Sequence, residues 1–347
     1  MRAMKHPFNR GERGRLLSHL PLAHVSERIL GEMLALYSNA SVSFCEGPQV
    51  TAAELRGVKP TLFFSLPRLW VACKQAIDAL FPPAVQATFG EEEKAFVRAH
   101  LGQDQARMIL TGSGPTPKEA HQWFIDMGIL LRDCYTMSES PAGASYADGV
   151  PEPGCAGTPS EGVAVKITER GEICFSSESL MTGYYKNPAK SAEVLVDGWY
   201  HTGDSGRFDS DGKLWITGRM DEIFQTSGGQ SVSPRELEGR FEGVSGIAEM
   251  VVCGHGRDQP VMLITLSESA RAQKRATVFL ELERALDEAN AELPVHERIA
   301  RLFVTRDAWS IDNGLLTPAM NLRRGAIEQR YKALIDAAVD AGRIVFE

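Results

Sequence analysis

From Leu17 to about Asp133 the sequence alternates segments of helical apolar spacing with short apolar runs of strand length, and this alternation restricts the fold more than any other feature. "HVSERILGEMLALYS" carries apolar residues at helical spacing, while "ASVSFC" and "TLFFS" read as strands. "LPRLWVACKQAIDALF" reads as a helix with Pro67 in its first turn, where a missing N–H costs nothing. "ARMILTGSG" is a strand ending in glycines, and Thr116, Pro117 and Glu119 are expected to form a capping box that opens the next helix. "GILLRD" is the following strand. Strands and helices joined this closely predict an α/β fold with a mostly parallel, doubly wound sheet. Ligands of such sheets sit beyond the carboxyl ends of the strands. Two segments fall at that edge here, residues 111–115 ("TGSGP") and 134–140 ("CYTMSES").

The period then changes to two. "VAVKIT", "GEICFSS" and "KLWITG" predict a β-rich subdomain with Gly171 and Gly212 at its turns. Within it, "GWYHTGDSGRFDSDGKLWITGR" (198–219) reads as a hairpin, because Asp211-Gly212 supplies the positive φ of a turn between two extended runs. Asp204 is expected to end the first run, and the hairpin brings it and Arg219 to one end. A carboxylate acceptor and a forked donor placed so would suit a polyol such as a ribose, and two solvated charges at a hairpin rim are the plainer alternative. Beyond Arg219 come "SPRELEGRF", with Ser233 as cap, Pro234 first and Glu236 closing the box, then two strands and two helices. The expected division is an α/β part over 1–153, a β-rich subdomain over 154–220, and a small α+β domain over 221–347.

Composition narrows the partners. A net charge of −8 argues against nucleic acid, whose phosphates need clustered Lys and Arg. Six separated cysteines without a CxxC pair fit reduced thiols, hence a cytoplasmic setting. No apolar run approaches the roughly 18 residues of a membrane span, which leaves peripheral membrane contact open. The start, "MRAMKHPFNRGERGR", has no apolar core of the kind secretory signals carry, and reads as a surface segment.

Seven stretches then occur in an order and spacing that resemble one superfamily: "LPLAHVSER" (20–28), "KPTLFFSLPRLW" (59–70), "YTMSES" (135–140), "GYYKNP" (183–188), "GWYHTGD" (198–204), "GRMDEI" (218–223) and "GGQSVSPRELE" (228–238). The chain resembles the adenylate-forming acyl-CoA synthetases, within them the long-chain fatty acyl branch, over most of its length. The resemblance implies an ATP-dependent ligase that makes an acyl adenylate from a fatty acid and passes the acyl group to coenzyme A. By it, Asp204 and Arg219 hold the ribose of ATP or AMP, Gly112, Ser113 and Gly114 run beside adenine, and Tyr135 packs on that ring. Ser138 lies near the α-phosphate and Glu139 holds Mg²⁺. His24 lies near the acyl and thiol entrance, Asp221 is the hinge of a mobile C-terminal domain, and Gly228 and Gly229 line the coenzyme A tunnel. "TSGGQS" lacks the GxxxxGK[ST] pattern of a phosphate loop.

Two departures stand beside these matches. The Ser/Thr/Gly-rich loop ending in Pro-Lys that wraps the β- and γ-phosphates in similar enzymes has no counterpart in the sequence, which makes the chain resemble an N-terminally truncated member. In "LLTPAMNLRRGAIEQRY" (315–331) the family's catalytic lysine aligns with Asn321. Losing such a preorganised charge costs on the order of 10²–10³ in rate. Arg323, two residues on, would face the same way on an extended segment. The expected alternatives are therefore a ligase, a non-catalytic nucleotide- or acyl-binding remnant, or half of a split enzyme. A truncated parallel sheet also predicts an open edge that invites a missing N-terminal segment or self-association.

Overall fold

The computed structural model describes residues 13–47, 51–145, 149–241, 243–244, 246–317, 322–338 and 341–347. Asn321, and residues 1–12 of the surface segment read at the start, lie outside the described residues. The chain divides into two compact units, 1–216 and 217–347.

In the first unit, β1 (Arg15–Ser18) and β2 (Ser41–Phe44) pair in parallel, and β3 (Leu62–Ser65), β4 (Met108–Gly112) and β5 (Leu131–Tyr135) form the parallel centre of a five-stranded sheet. Two short antiparallel strands, β6 (Ala144–Ser145) and β7 (Thr158–Pro159), complete that sheet. The start of β1 is tied to the approach to β3: the Thr61 N–H donates to Arg15 O at 2.9 Å. The β3 run Leu62-Phe63-Phe64 is buried on both faces, as a doubly wound sheet requires. Phe63 meets Trp70 edge-on at 5.6 Å, and Trp70 meets Phe124 at 5.3 Å, beneath the helices Pro67–Leu80 and Lys118–Asp126. Leu62 and Phe64 pack on the other face with Leu30, Leu34 and Ala35.

Those three residues lie on a helix whose first part, Glu27–Met33, is π and whose last part, Leu34–Ser38, is α. The widened turn holds the buried Glu27 side chain over Gly31, where a Cβ would lie 2.1 Å from Glu27 Oε1. Glu27 Oε2 accepts the Leu20 N–H at 3.2 Å. β2 is less covered: Phe44 is 76% exposed and Leu36, on the neighbouring helix, 85%.

The β-rich part is an antiparallel sheet of β8 (Val163–Ile167), β9 (Glu172–Ser177), β10 (Leu195–Val196), β11 (Trp199–Phe208) and β12 (Leu214–Arg219), in which β12 pairs with β11. Asp204 does not end its run. The strand continues to Phe208, and between His201 and Ser205 it bulges against β9. The turn is built by Asp209, whose Oδ1 accepts the Asp211 and Lys213 N–H groups and whose Oδ2 accepts Trp215 Nε1–H at 2.8 Å. Gly212 takes φ 75°.

The second unit carries a hairpin, β13 (Phe224–Gln225) and β14 (Ser231–Val232), and a mixed sheet in the order β15 (Ile247–Cys253), β16 (Val261–Leu266), β17 (Leu302–Thr305), β18 (Ile344–Phe346). The helix Arg275–Asn290 buries Val278, Leu282 and Leu286 on one face of the sheet, and Arg324–Ala337 buries Ile327, Tyr331 and Ile335 on the other. Arg324 grips both oxygens of the largely buried Glu238, whose Oε1 also accepts the Val252 N–H. Burial pushes the Glu238 carboxyl above its ordinary range, and the paired guanidinium offsets this only in part.

Neither expected capping box forms. Ser233 Oγ donates to Thr217 O at 2.9 Å, and Thr116 Oγ1 lies 3.0 Å from Thr111 Oγ1. In both, a hydroxyl that could cap locally is taken by a more distant partner. All six cysteines are free. Among the described residues no helix is long and apolar enough to cross a membrane.

Candidate functional site

Parallel register sets the site. Gly112 on β4 is the partner of Cys134 on β5, so Ser113-Gly114 and Tyr135 leave the sheet at the same carboxyl edge. Gly112 has a steric reason of its own, since a Cβ there would lie 2.7 Å from Cys134 O. Ser113 takes φ 65° and, like Gly114, is exposed.

The hydroxyl of Tyr135 donates to Asp204 Oδ2 at 2.5 Å, joining the end of β5 to the bulge of β11. The Asp204 N–H in turn donates to Thr202 Oγ1 at 3.0 Å. A second tyrosine, Tyr184, donates to Glu139 Oε1 at 2.7 Å and is hydrogen-bonded to Tyr200. Burial holds the Tyr200 phenol well above its ordinary range, helped by the Tyr184 hydrogen bond and by the charges of Glu139 and Asp204. Tyr184 is raised as well, by burial and then by its bond to Glu139. Both phenols thus stay protonated donors over the whole neutral range. The result is two tyrosine-held carboxylates, Tyr135–Asp204 and Tyr200–Tyr184–Glu139, with the charge of Asp204 also acting on the Tyr200 phenol.

Ser138 is exposed and Glu139 half-buried, with the Glu139 backbone oxygen accepting the Met181 N–H at 2.9 Å. Its carboxylate is oriented through one oxygen by a neutral donor, a fit for a hard cation that takes oxygen ligands.

His24 lies apart from this group but on the same strand edge. Its Nδ1 accepts the Ser26 N–H at 3.2 Å, which assigns the proton to Nε2, and Nε2 stands 3.2 Å from Ser113 Oγ. Burial lowers its pKa against the opposing pull of Glu27.

The remaining expected residues belong to the second unit. Arg219 Nε lies 3.4 Å from Asp221 Oδ1, both largely exposed. Gly228 and Gly229 form the turn between β13 and β14, with Gly229 at φ 78°. Thr226 and Gln230 close that turn by a 2.6 Å side-chain hydrogen bond.

Tyr184 and Tyr200 went unread in the sequence although both stand in quoted motifs. Tyr200 shares a buried face of β11 with Thr202, a period-two relation that the sequence carried. Nothing local marks Tyr184 as a partner of Glu139, 45 residues away.

The sequence matches the family described as AMP-binding enzyme over residues 1–185, and the AMP-binding enzyme C-terminal domain over 221–342. The chain belongs to the AMP-binding enzyme family. It is 28% identical to the long-chain-fatty-acid–CoA ligase FadD15 of Mycobacterium bovis, over 96% of this chain and 63% of that protein. It is 27% identical to the human long-chain-fatty-acid–CoA ligase ACSBG1, over 93% of this chain and 55% of the relative. The chain therefore spans about three-fifths of the length of the curated relatives it matches. ATP-bound MatB from Rhodopseudomonas palustris superposes with a TM-score of 0.70 at 20% identity, over 93% of this chain and 61% of that one. The O-succinylbenzoate coenzyme A synthetase of Bacillus subtilis, in complex with AMP, gives 0.69 at 19% identity, over 91% and 60%. These two likenesses establish the adenylation-domain fold for this AMP-binding family member.

Proposed function

We propose that this chain binds an adenine nucleotide at the carboxyl edge of its parallel sheet and acts in the activation of a long-chain fatty acid, through an acyl adenylate, for transfer to coenzyme A. The observation that carries the reading is the Tyr135–Asp204 hydrogen bond, which fixes a carboxylate beside an aromatic ring at the edge where such sheets bind ligands. Asp204 and Arg219 are assigned to the ribose, Tyr135 with residues 112–114 to adenine, Ser138 to the α-phosphate, and Glu139 to Mg²⁺. When bound, that cation would offset phosphate charge. His24 is assigned to the acyl and thiol entrance, Asp221 to the hinge, and Gly228-Gly229 to the coenzyme A tunnel. The relatives' names support the acyl-chain class.

Calorimetry of AMP and of Mg·ATP, repeated with Asp204→Ala, tests the site. AMP binding that disappears in the variant is expected; no AMP binding by the unaltered chain overturns the reading.

A second reading rests on Asn321, which brings no charge where similar enzymes carry lysine. By it the chain transfers a pre-made acyl group to coenzyme A but forms adenylate poorly, on its own or as one half of a split enzyme. Supplying pre-made acyl adenylate and coenzyme A should then give thioester at a rate that ATP and free acid do not match. No thioester above background removes this reading.

A further inference from the structure

The antiparallel pair β9 and β11 carries a convergence of three side chains outside the nucleotide site. His201 and Cys174 are register partners, so they project from the same face, and Glu172, two residues before Cys174, projects beside them. Cys174 Sγ lies 3.5 Å from His201 Nδ1, and Glu172 Oε2 lies 2.8 Å from that same nitrogen. The sulfur, nitrogen and oxygen all lie within 4.8 Å of one another. A sulfur and a carboxylate meeting on one ring nitrogen is the wrong arrangement for a nucleophile–base–acid relay, which needs both ring nitrogens. It is the arrangement of donors around a common ion.

We propose that Glu172, Cys174 and His201 form a binding site for a divalent transition metal of the zinc class. Tetrahedral zinc bonds of about 2.0–2.3 Å set neighbouring donor atoms roughly 3.3–3.7 Å apart. The sulfur–nitrogen distance already fits, and the nitrogen–oxygen pair has to widen by only a few tenths of an ångström. The mixed set selects against Mg²⁺ and Ca²⁺, which take oxygen alone, and three protein ligands leave a fourth position for water. The frame is rigid. Both strands are hydrogen-bonded, and Glu172 Oε1 is separately held by the Gly203 N–H at 3.0 Å, leaving Oε2 as the oxygen that turns to the ion. The His201 and Glu172 side chains stay partly exposed, at 29% and 20%, which provides entry. Lys166, the partner of Cys174 on β8, sets its ammonium over the Trp199 ring at 4.2 Å.

Burial holds the Cys174 thiol protonated, with a pKa of about 11. Metal binding requires the thiol proton to leave for solvent and the imidazole to face the ion through an unprotonated Nδ1.

The test is titration of the metal-stripped full chain with Co²⁺, followed by absorption. One equivalent should produce a thiolate-to-cobalt charge-transfer band that Zn²⁺ removes. Cys174→Ser should abolish the band, Cys253→Ser should keep it, and His201→Gln should weaken binding at least about tenfold. A missing band at saturating Co²⁺, or a band that survives in Cys174→Ser, overturns the proposal. X-ray absorption at the zinc edge of the unaltered chain decides without any variant: one sulfur scatterer among light ones supports the site, and oxygen or nitrogen alone refutes it.

Discussion

Tyr135 and Asp204 stand 69 residues apart in sequence and 2.5 Å apart in space, hydroxyl to carboxylate. The bond fixes the carboxylate before any ligand arrives, and preorganisation of this kind reduces what binding must spend on ordering side chains. Tyr135→Phe keeps the ring and removes the tether. The expected result is AMP affinity about three- to tenfold weaker by calorimetry, against near-complete loss in Asp204→Ala. Equal affinity in Tyr135→Phe and the unaltered chain would deny the tether a role.

Tyr184 stands in the same relation to Glu139. A carboxylate that loses its orienting donor holds a cation less well, by about 10- to 100-fold where such partners have been removed elsewhere. Tyr184→Phe should raise the Mg²⁺ concentration needed for half-maximal ATP binding by at least about tenfold, while AMP binding without Mg²⁺ changes little. A parallel drop in both would point to general loosening of the site.

Gly112 allows a prediction that needs no ligand. A methyl group there meets the Cys134 backbone oxygen, and backbone cannot swing aside as a flexible side chain can. Gly112→Ala should cost about 1–3 kcal/mol in denaturant unfolding. An unchanged midpoint would mean that β4 and β5 separate more easily than their register implies.

Acid should weaken the fold through two histidines. His19, with Nε2 3.0 Å from Ser65 Oγ, has its pKa lowered by burial, an effect only partly offset by a backbone hydrogen bond at Leu17 and the charge of Glu27. His24 is lowered for the same main reason, though it is more exposed and counts for less. In the folded chain both titrate below the ordinary value of 6.5, so the unfolded chain binds more protons in that window. Their contribution is complete above about pH 6.5 and is lost as pH falls through that value toward the folded-state pKa. The unfolding midpoint should drop between pH 7.5 and 5.5, and His19→Gln should flatten the slope. An identical slope in the variant would place the proton uptake elsewhere.

The weakly covered edge at β2 gives the last prediction. Phe44 and Leu36 are exposed on an edge strand and the helix beside it, an arrangement that favours strand addition by another copy. Sedimentation should show self-association that rises with concentration and falls in the double variant Leu36→Glu, Phe44→Lys. A monomer at every concentration would contradict it.

How much of this was legible depended on the range of the contacts. β3, β4 and β5 announced themselves because strands buried on both faces need unbroken apolar runs, and "TLFFS" and "RMILT" are such runs. The Asp211-Gly212 hairpin was readable from turn chemistry alone. The short strands Leu302–Thr305 and Ile344–Phe346 were not, because a few apolar residues beside helical segments carry too little periodicity. The capping boxes failed at Thr116 and Ser233 because their hydroxyls found tertiary partners that no local pattern records. The two-residue slip between His201 and Ser205 left no trace either, yet it decides where Asp204 lies relative to Tyr135. Family motifs named Asp204, Glu139 and Tyr135; only the fold supplied Tyr184 and the bonds that hold the two carboxylates.

The carboxylate of Glu172 divides its two oxygens between His201 Nδ1 and the Gly203 N–H, and Gly203 immediately precedes Asp204. One side chain is thus a strut shared by two neighbouring ligand positions, a candidate metal on one side and a candidate nucleotide on the other. Ligands that lean on a common strut are thermodynamically linked, and linkage is reciprocal. Whatever factor a zinc-class ion imposes on AMP affinity, AMP must impose the same factor on the ion, so either titration measures the coupling of both.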